Sequence, residues 1–401
     1  MSATYGTLLR LETRAVATVY GPFDVHRFRN AATGGDVLAV ARGAVTAPEP
    51  LLARVHSSCV TSEVYGSCDC DCVEQLDAAL GAIAEAGRGI LFYLMQEGRG
   101  AGFTAKARDR MMVQASGERL TTFEAYARMG LARDHRSYEE VVFARRLLGV
   151  AAPLTVLTGN PEKVEELARA GVAIAGTSPL PRAASPFNLH YLNAKAPGGG
   201  GEPAALPEPV TYFEPVALPE APHLLATASY LLPVLAPADG ARRDAAGPPC
   251  WLRVHAYFDV PANRECVVLT YGARTDAAPL VRVQHTPLLE RLPLAGGGER
   301  QRLWYATVRA VVRQGAGVAI VESAEGAKHG GGTVDPTTSR LLARHLPAAR
   351  ARLVLDGPGE SAADRVLAAA LRAAGVRLER PLVLRGAAAE TPPGGDGGPD
   401  R

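Results

Sequence analysis

The chain has 401 residues, so two or three domains of ordinary size are expected. Its formal net charge is only +2, which does not indicate a protein that binds nucleic acid through the phosphate backbone. No stretch approaches the ~20 consecutive apolar residues that cross a bilayer, and residues 1–21 carry no signal-peptide pattern, so we expect a cytoplasmic protein without a membrane partner.

Segments rich in β-branched and aromatic residues open the chain, and their alternation with polar residues predicts strands at 15–21, 22–29, 37–43 and 51–60. A helix is predicted over 73–86, where apolar residues recur at helical spacing before Gly87. The next stretch, 88-RGILFYLMQEGRGAGF, indicates a buried strand that ends in a glycine-rich turn.

Further along, 139–149 predicts a helix that ends on Gly149, and 153–172 predicts a strand, a loop and a helix that starts at Pro161. This succession predicts a mixed α/β domain over 1–195. Gly- and Pro-rich composition predicts a linker region over 196–249, and the same composition predicts a disordered tail over 387–401.

The second half, 250–386, repeats the first half at a constant offset of 228 positions, the difference between 282 and 54. The matching residues are Arg54 with Arg282, Val55 with Val283, Gly87 with Gly315, Gly89 with Gly317, Glu97 with Glu325, and Gly98 with Gly326. The helix at 73–86 also has a counterpart at 301–314. Three cysteines are not repeated: Cys59, Cys70 and Cys72 correspond to Pro287, Gly298 and Arg300. We interpret the second half as a degenerate, non-catalytic duplicate of similar fold.

Four of the six cysteines lie in 57-SSCVTSEVYGSCDCDC-72. Where thiols stay reduced, such a cluster favours metal binding or catalysis over disulfides. Three thiolates suit zinc, and three protein ligands with an open fourth position are typical of catalytic zinc sites. Two alternatives stay open: the cysteines could pack or react without metal, or Cys68 could add a fourth ligand and make the site structural.

Five motifs resemble those of the GTP cyclohydrolase II family in order and spacing: 54-RVHSSC, 68-CDCDCVEQL, 96-QEGRGAG, 134-DHR and 158-TGNPEKVE. The resemblance covers about 12–195. It implies a zinc-dependent hydrolase that opens the imidazole ring of GTP and releases formate and pyrophosphate. Its usual product is 2,5-diamino-6-(5-phosphoribosylamino)pyrimidin-4(3H)-one, the first committed compound of riboflavin synthesis. Mg²⁺ assists at the triphosphate in that family. Because the family usually forms homodimers, we expect a homodimer or an intramolecular pseudo-dimer.

The resemblance also implies the roles of individual residues. It makes Cys59, Cys70 and Cys72 the zinc ligands and leaves Cys68 outside the ligand set. It makes Asp134 the proton acceptor and Arg136 the nucleophile that attacks the α-phosphorus. The implied nucleotide contacts are Arg54, Val55, His56, Ser57, Ser58, Gln75, Glu97, Gly98, Arg99, Thr122, Thr158 and Lys163.

Three positions depart from the family pattern. Where the family carries a tyrosine on the helix after the glycine-rich turn, 106-KARDRMMVQ offers Arg110 or Met111. Loss of a phenol that moves a proton could slow removal of the formyl group, so a 5-formylamino pyrimidine is an alternative product. Ser58 and Tyr126 replace a glutamate and an asparagine, which leaves room for a changed substrate preference. A nucleotide-binding regulator whose catalysis has decayed is a further alternative.

Overall fold

Two mixed β-sheets organise the computed structural model of the chain. The structure describes residues 4–181, 184–195, 203–238, 247–272, 278–286, 288–293, 298–323, 336–346, 349–357 and 360–384. We call residues 4–195 the first unit and the described part of 203–384 the second unit. Within these ranges no helix combines the length and the apolar character needed to span a bilayer.

The first unit contains eight strands and seven helices in its described residues. In chain order they are β1 (Thr4–Tyr5), β2 (Leu8–Thr18), β3 (Gly21–Asn30), β4 (Asp36–Arg42), β5 (Leu51–Ser57), α1 (Val60–Glu63), α2 (Cys72–Glu85), β6 (Gly89–Leu94), α3 (Gly102–Ala115), α4 (Thr122–Arg128), α5 (Glu139–Leu148), β7 (Leu154–Leu157), α6 (Pro161–Arg169), β8 (Ile174–Ser178) and α7 (Leu189–Lys195). A short 3-10 turn at Glu97–Gly100 lies between β6 and α3.

The second unit contains nine strands and three helices in its described residues. They are β9 (Val216–Leu218), β10 (Ala221–Val234), β11 (Cys250–Asp259), β12 (Arg264–Tyr271), β13 (Leu280–Thr286), α8 (Glu299–Gln314), β14 (Gly317–Ser323), α9 (Pro336–His345), β15 (Arg350–Leu355), α10 (Ala362–Ala373), β16 (Arg377–Leu378) and β17 (Leu382–Val383).

The two sheets share one strand order. The first runs β1-β2-β3-β4-β6-β5-β7-β8, and the second runs β9-β10-β11-β12-β14-β13-β15-β16, with β17 beside β15. In the first sheet the neighbours from β1 to β6 are antiparallel and those from β6 to β8 are parallel. The corresponding neighbours of the second sheet have the same directions. This repeat confirms the predicted mixed α/β fold and a second unit of similar architecture.

The glycines of the sequence repeat occupy equivalent places in both units. Gly87 and Gly315 each follow the helix before the central parallel strand, with φ of +68° and +79°. A Cβ on Gly43 would lie 2.5 Å from the Gly87 carbonyl oxygen, and a Cβ on Gly272 would lie 1.8 Å from the Gly315 carbonyl oxygen. At both points two backbone segments meet so closely that only glycine fits at positions 43 and 272. The repeated pair Glu325 and Gly326 and the position Pro287 lie outside the described residues.

The linker predicted over 196–249 is wrong in its second part, because β9 and β10 lie within it and belong to the second sheet. Pro233 lies in β10 beyond the residues that β9 covers, so its missing N–H interrupts no pairing with β9. Proline and alanine dominate the surrounding composition and conceal the apolar segment 221–234. The predicted disordered tail, 387–401, lies outside the described residues.

Helix α3 packs between the two units. A core formed by both units contains Phe103, Ala107 and Met111 from α3, together with Tyr230 from β10 and Trp304 from α8. Sequence repetition alone does not indicate which surfaces of the copies meet. The contact explains why α3 has apolar side chains directed away from the first sheet.

Candidate active site

A cavity of about 360 Å³ opens where the parallel strands of the first sheet end. Residues directly after β5, β6 and β7 line it, because the carboxyl ends of parallel strands meet at one edge of a sheet. Helices α3, α4 and α7 and the loop before α5 complete the wall. The cavity thereby collects residues that are up to 137 positions apart in the sequence, from Arg54 to Tyr191.

Three thiols meet on the cavity wall. Cys59 follows β5, whereas Cys70 and Cys72 lie at the turn that begins α2. Their Sγ atoms all lie within 4.8 Å of one another, and those of Cys59 and Cys70 are 3.6 Å apart. Around a tetrahedral zinc ion with bonds of about 2.3 Å, sulfurs lie about 3.8 Å apart. The donor atoms and their spacing therefore fit a thiolate-bound metal ion.

The local electrostatics agree with a site that needs a cation. Contacts with the Cys59 and Cys72 thiols and burial raise the pKa of Cys70 well above its ordinary value. Such a shift indicates that several thiolates cannot share this space without positive charge nearby. Soft sulfur ligands favour zinc and other soft metal ions over Mg²⁺.

Cys68 points away from the cluster. Its Sγ atom lies 3.5 Å from the Pro233 carbonyl oxygen in β10, and its backbone N–H donates to the same oxygen at 3.0 Å. Among the described residues, the group of sulfurs close enough to share one ion comprises Cys59, Cys70 and Cys72. This geometry is that of a three-thiol site.

Lys106 contacts the thiol cluster, although sequence reasoning did not assign it to the site. Its Nζ atom lies 3.1 Å from Cys59 Sγ and donates to Thr61 Oγ1 and Glu97 Oε1, both at 2.8 Å. Burial alone would lower the pKa of Lys106, but Cys59 and Glu97 raise it well above its ordinary value. The scarcity of lysine, with four in the chain, was a usable signal.

A buried hydrogen-bond network holds the backbone of Cys59 in place. Glu63 Oε1 accepts from the Cys59 backbone N–H at 3.0 Å and lies 2.8 Å from His56 Nε2. The other carboxylate oxygen accepts from the Tyr93 hydroxyl. His56 lines the cavity but also contributes to this support, so it connects the pocket wall with the first thiol.

Arg54 and Lys163 bring buried positive charge to the cavity wall. Arg54 donates to the Leu157 carbonyl and to Gln75 Oε1, both at 2.6 Å, and burial lowers its pKa. Lys163 donates to the Val55 carbonyl at 2.8 Å. Val55 itself is fully buried in the core and is the one predicted contact residue that does not line the cavity. Its link to the site is its backbone carbonyl.

The glycine-rich turn presents Arg99 in a strained conformation. Arg99 has φ of +56°, which is uncommon for a residue with a side chain, and its guanidinium lies 4.2 Å from the centre of the Phe123 ring. The Tyr126 hydroxyl donates to the Gly98 carbonyl at 2.7 Å. Tyr126, which departs from the family pattern, thus attaches this turn to α4 through a hydrogen bond. Strain of this kind is typical of residues held for function.

Asp134 and Arg136 form a close ion pair on the cavity wall. Arg136 Nε donates to both carboxylate oxygens of Asp134, at 2.9 and 3.1 Å, and its backbone N–H donates at 3.0 Å. Burial alone would raise the pKa of Asp134 and lower that of Arg136. Their pairing outweighs burial, so the pKa of Asp134 is lowered and that of Arg136 is raised. A Cβ on Gly100 would lie 2.9 Å from the His135 carbonyl group, so the turn and this loop can meet only at a glycine.

The remaining predicted contacts are held by local structure. Thr122, at the start of α4, donates to both Asp109 oxygens, at 3.0 and 2.8 Å. Thr158 accepts from the Asn160 backbone N–H at 3.1 Å, as in a turn. Ser57 Oγ has no hydrogen-bond partner in the described part of the chain. The predicted residues that line the cavity are Arg54, His56, Ser57, Ser58, Cys59, Cys70, Cys72, Gln75, Glu97, Gly98, Arg99, Thr122, Asp134, Arg136, Thr158 and Lys163.

In the described residues of the second unit, charged side chains stand at positions that correspond to cavity residues of the first unit. Arg282, at the position of Arg54, is paired with Asp356, and Arg300, at the position of Cys72, contacts the same carboxylate at 3.0 Å. The described residues contain one three-thiol group, and it lies in the first unit.

Comparisons with known proteins concern the first unit. A sequence model of the family described as GTP cyclohydrolase II matches residues 10–179. A protein named GTP cyclohydrolase-2 from Cronobacter sakazakii is 42% identical over 189 residues, which cover 47% of this chain and 94% of that protein. A protein of the same name from Escherichia fergusonii is also 42% identical over 189 residues, which cover 93% of that protein.

One solved structure shows weak similarity. It is a two-domain 3,4-dihydroxy-2-butanone 4-phosphate synthase from A. baumannii, with 17% identity and a TM-score of 0.25 over 45% of this chain and 42% of that one. Similarity at this level does not establish a shared fold.

Proposed function

Because the chain belongs to the GTP cyclohydrolase II family and is a hydrolase of that type, we propose that it converts GTP to 2,5-diamino-6-(5-phosphoribosylamino)pyrimidin-4(3H)-one, formate and pyrophosphate, which is the entry to riboflavin synthesis. The observation that carries the proposal is the lining of one cavity. It joins the three thiols to Arg99, Arg136 and Lys163, so groups suited to a metal ion and groups suited to phosphates face the same space.

We assign the metal as zinc and its ligands as Cys59, Cys70 and Cys72. When bound there, zinc would supply Lewis acidity that makes water a nucleophile near neutral pH. Lys106 balances the negative charge of both Cys59 and Glu97, and Glu63 fixes the Cys59 backbone. Mg²⁺ would enter with the triphosphate, whose oxygens it prefers to sulfur.

Two waters account for the chemistry at the purine ring. The first adds to C8 and breaks the C8–N9 bond, which leaves a formylamino group on the pyrimidine. The second breaks the bond between the formyl carbon and N7 and releases formate. The cavity therefore has to hold the base against the thiol cluster, and Arg54 and Gln75 on its wall can donate hydrogen bonds to a purine.

Arg136 and Asp134 would handle the phosphates. Attack by Arg136 forms a nitrogen–phosphorus bond, breaks the bond between the α-phosphorus and the bridging oxygen, and expels pyrophosphate. Because pairing raises the pKa of Arg136, a proton must pass to Asp134 during the attack. A third water then cleaves the nitrogen–phosphorus bond and regenerates Arg136. Arg99 and Lys163 would stabilise the charge that develops on the leaving group.

Metal content and product balance test this function in the full-length protein. We expect about one zinc per chain and equal amounts of pyrophosphate, formate and pyrimidine from GTP. In the variants C59S and C70S, we expect loss of metal and of ring opening. Undiminished GTP consumption after zinc removal would overturn the proposal. GTP binding without turnover by zinc-loaded protein would instead favour the alternative of a decayed regulator, against which the intact thiol cluster argues.

An observation on α3 favours a second candidate product, the 5-formylamino pyrimidine. Arg110 lines the cavity, whereas Met111 is fully buried against the second unit, where its sulfur accepts from the Ser229 N–H at 3.5 Å. Arg110 therefore takes the place at which the family carries tyrosine, and its guanidinium stays protonated near neutrality. A ring-opened product without free formate would identify this outcome, and R110Y should then raise the yield of formate.

A further inference from the structure

The second unit contacts the loop that joins the first metal-binding cysteine to the other two. Leu235 donates through its backbone N–H to the Gly66 carbonyl, and Cys68 donates to the Pro233 carbonyl, both at 3.0 Å. Ser67 pairs with Val234 as an antiparallel bridge between these two bonds. The end of β10 and the cysteine loop therefore form a short two-stranded ladder that crosses from one unit to the other.

Trp304 of α8 holds the same loop from a second direction. Its indole N–H donates to the Tyr65 carbonyl at 2.9 Å, and the side chain is 1% exposed. Gln301, one turn earlier, donates to the Val64 carbonyl at 3.4 Å. The loop thus satisfies several backbone groups with partners from the second unit, at positions 64–68, between Cys59 and Cys70.

Glu265 of β12 holds the helix that carries the cationic side of the site. Its carboxylate accepts from the backbone N–H groups of Phe103 at 3.2 Å and Thr104 at 2.5 Å, in the first turn of α3. The residue before α3, Ala101, cannot cap the helix with its own side chain. The N-terminal cap of α3 is therefore supplied by the other unit.

Farther along α3, a buried amide pairs with the β10 backbone in both directions. Gln114 Nε2 donates to the Leu231 carbonyl, and the Leu231 N–H donates to Gln114 Oε1, both at 2.8 Å. Lys106, between the two attachments, contacts Cys59 Sγ. Both the thiol loop and the helix beside it are therefore attached to one neighbouring sheet.

From these contacts we propose that the second unit is a positioning element for the metal site, and that Trp304 and Glu265 are its principal positioning residues. The family model matches residues 10–179, so both residues lie outside the matched segment. Neither residue touches a thiol. They act by limiting the loop and α3 to the arrangement in which the three sulfurs converge. Partners of this kind outside the ligand shell typically change metal affinity or activity by about 10–100-fold.

Metal transfer tests the proposal in the zinc-loaded, full-length protein, with a chromogenic chelator as the acceptor and the unfolding midpoint as a check on the fold. W304F keeps an aromatic ring but loses the N–H donor to Tyr65. We expect zinc to leave it about 10–100-fold faster than it leaves the wild type. The matched control is Q314L, which removes a side-chain donor on the same helix whose partner, the Ala278 carbonyl, lies within the second unit. We expect its transfer rate to equal that of the wild type.

E265Q provides an independent test, because Glu265 is exposed and its replacement leaves the core intact. We expect faster zinc transfer and a lower kcat with little change in KM, whereas E220Q, which removes a surface ion pair with Arg344 in the second unit, should change neither. Wild-type transfer rates in both W304F and E265Q would overturn the proposal. If W304F does not fold, E265Q decides alone.

This proposal depends on the proposed function only in assuming that the bound metal ion takes part in catalysis. If the wild type bound zinc but did not consume GTP, the proposed function would fail. The positioning proposal would still stand or fall with the transfer rates of the variants.

Discussion

The Nζ atom of Lys106 lies 3.1 Å from the sulfur of Cys59, so an ammonium group from α3 directly contacts the thiol cluster. The same group donates to Glu97, whose second oxygen accepts from the Val60 backbone at 2.6 Å. One lysine therefore connects the glycine-rich turn after β6 with the first thiol after β5. Its removal would leave the largely buried Glu97 carboxylate without its cation.

We expect the K106M variant to lose at least about tenfold in kcat/KM, because a buried charge left unpaired is costly and distorts its surroundings. Steady-state turnover of GTP by zinc-loaded protein measures the effect. R169M, which removes an exposed cation on α6, is the control and should match the wild type. Full activity in K106M would mean that the contact with Cys59 is incidental.

For the phosphate end of the site, we expect R136A to lower the rate of pyrophosphate release by about 10²–10³, because it removes both the nucleophile and a preorganised cation. D134N should change the rate in the same direction, since an amide cannot accept the proton from Arg136. Zinc content should stay at the wild-type value in both variants. Normal pyrophosphate release by R136A would exclude Arg136 as the nucleophile.

Metal removal should distinguish the cysteines from one another. We expect a strong zinc chelator to abolish turnover and to expose Cys59, Cys70 and Cys72 to a thiol reagent, and added zinc should reverse both changes. The variant C68S should retain its zinc, because the Cys68 thiol is directed to the Pro233 carbonyl and not to the cluster. Loss of one metal equivalent in C68S would make Cys68 a ligand after all.

The free energy of unfolding should depend on pH because of Asp109. Burial raises the pKa of this carboxyl group to about 6, from an ordinary value of 3.8. The folded state therefore binds the proton more tightly than the unfolded chain does. This tighter binding stabilises the folded state at low pH, and the stabilisation is lost as the pH rises from about 4 to about 6. The shift of about two units corresponds to about 3 kcal/mol.

We expect D109N to remove this dependence, since an amide can still accept the Thr122 hydrogen bond without taking a charge. Urea unfolding should show D109N to be more stable than the wild type at pH 7, and the difference should vanish near pH 4. D77N, on α2 and outside the cavity, is the control. An equal pH dependence in D109N and the wild type would contradict the assignment.

Sequence patterns predicted the elements whose signals are local. The helix stops at Gly87 and Gly149 and the helix start at Pro161 agree with α2, α5 and α6. The repeat at a fixed offset also predicted the second sheet, because glycines at close backbone contacts and residues of the parallel strands changed least. Such features depend on a few neighbouring residues, so they can be recognised without knowledge of the tertiary structure.

Contacts between the units were beyond the reach of the same reasoning. The apolar residues of α3 predict a buried face, but they do not say that β10 covers it. Lys106 was overlooked because helical spacing does not reveal which side chain reaches a thiol 47 positions earlier. Val55 shows the converse, since its place in a recognised motif did not reveal that its side chain is fully buried in the core.

The two sheets belong to one polypeptide, and this has a consequence for how the enzyme responds to dilution. A site that depends on a separate subunit weakens when the subunits separate at low concentration. Here the neighbouring sheet is tethered to the thiol loop by the same polypeptide, so its effective concentration does not depend on how much protein is present. In the described part of that copy, Asp356 pairs with Arg282 and Arg300, which stand at the positions of Arg54 and Cys72. The copy thus offers contacts to the first unit where the first unit offers thiols to a metal ion.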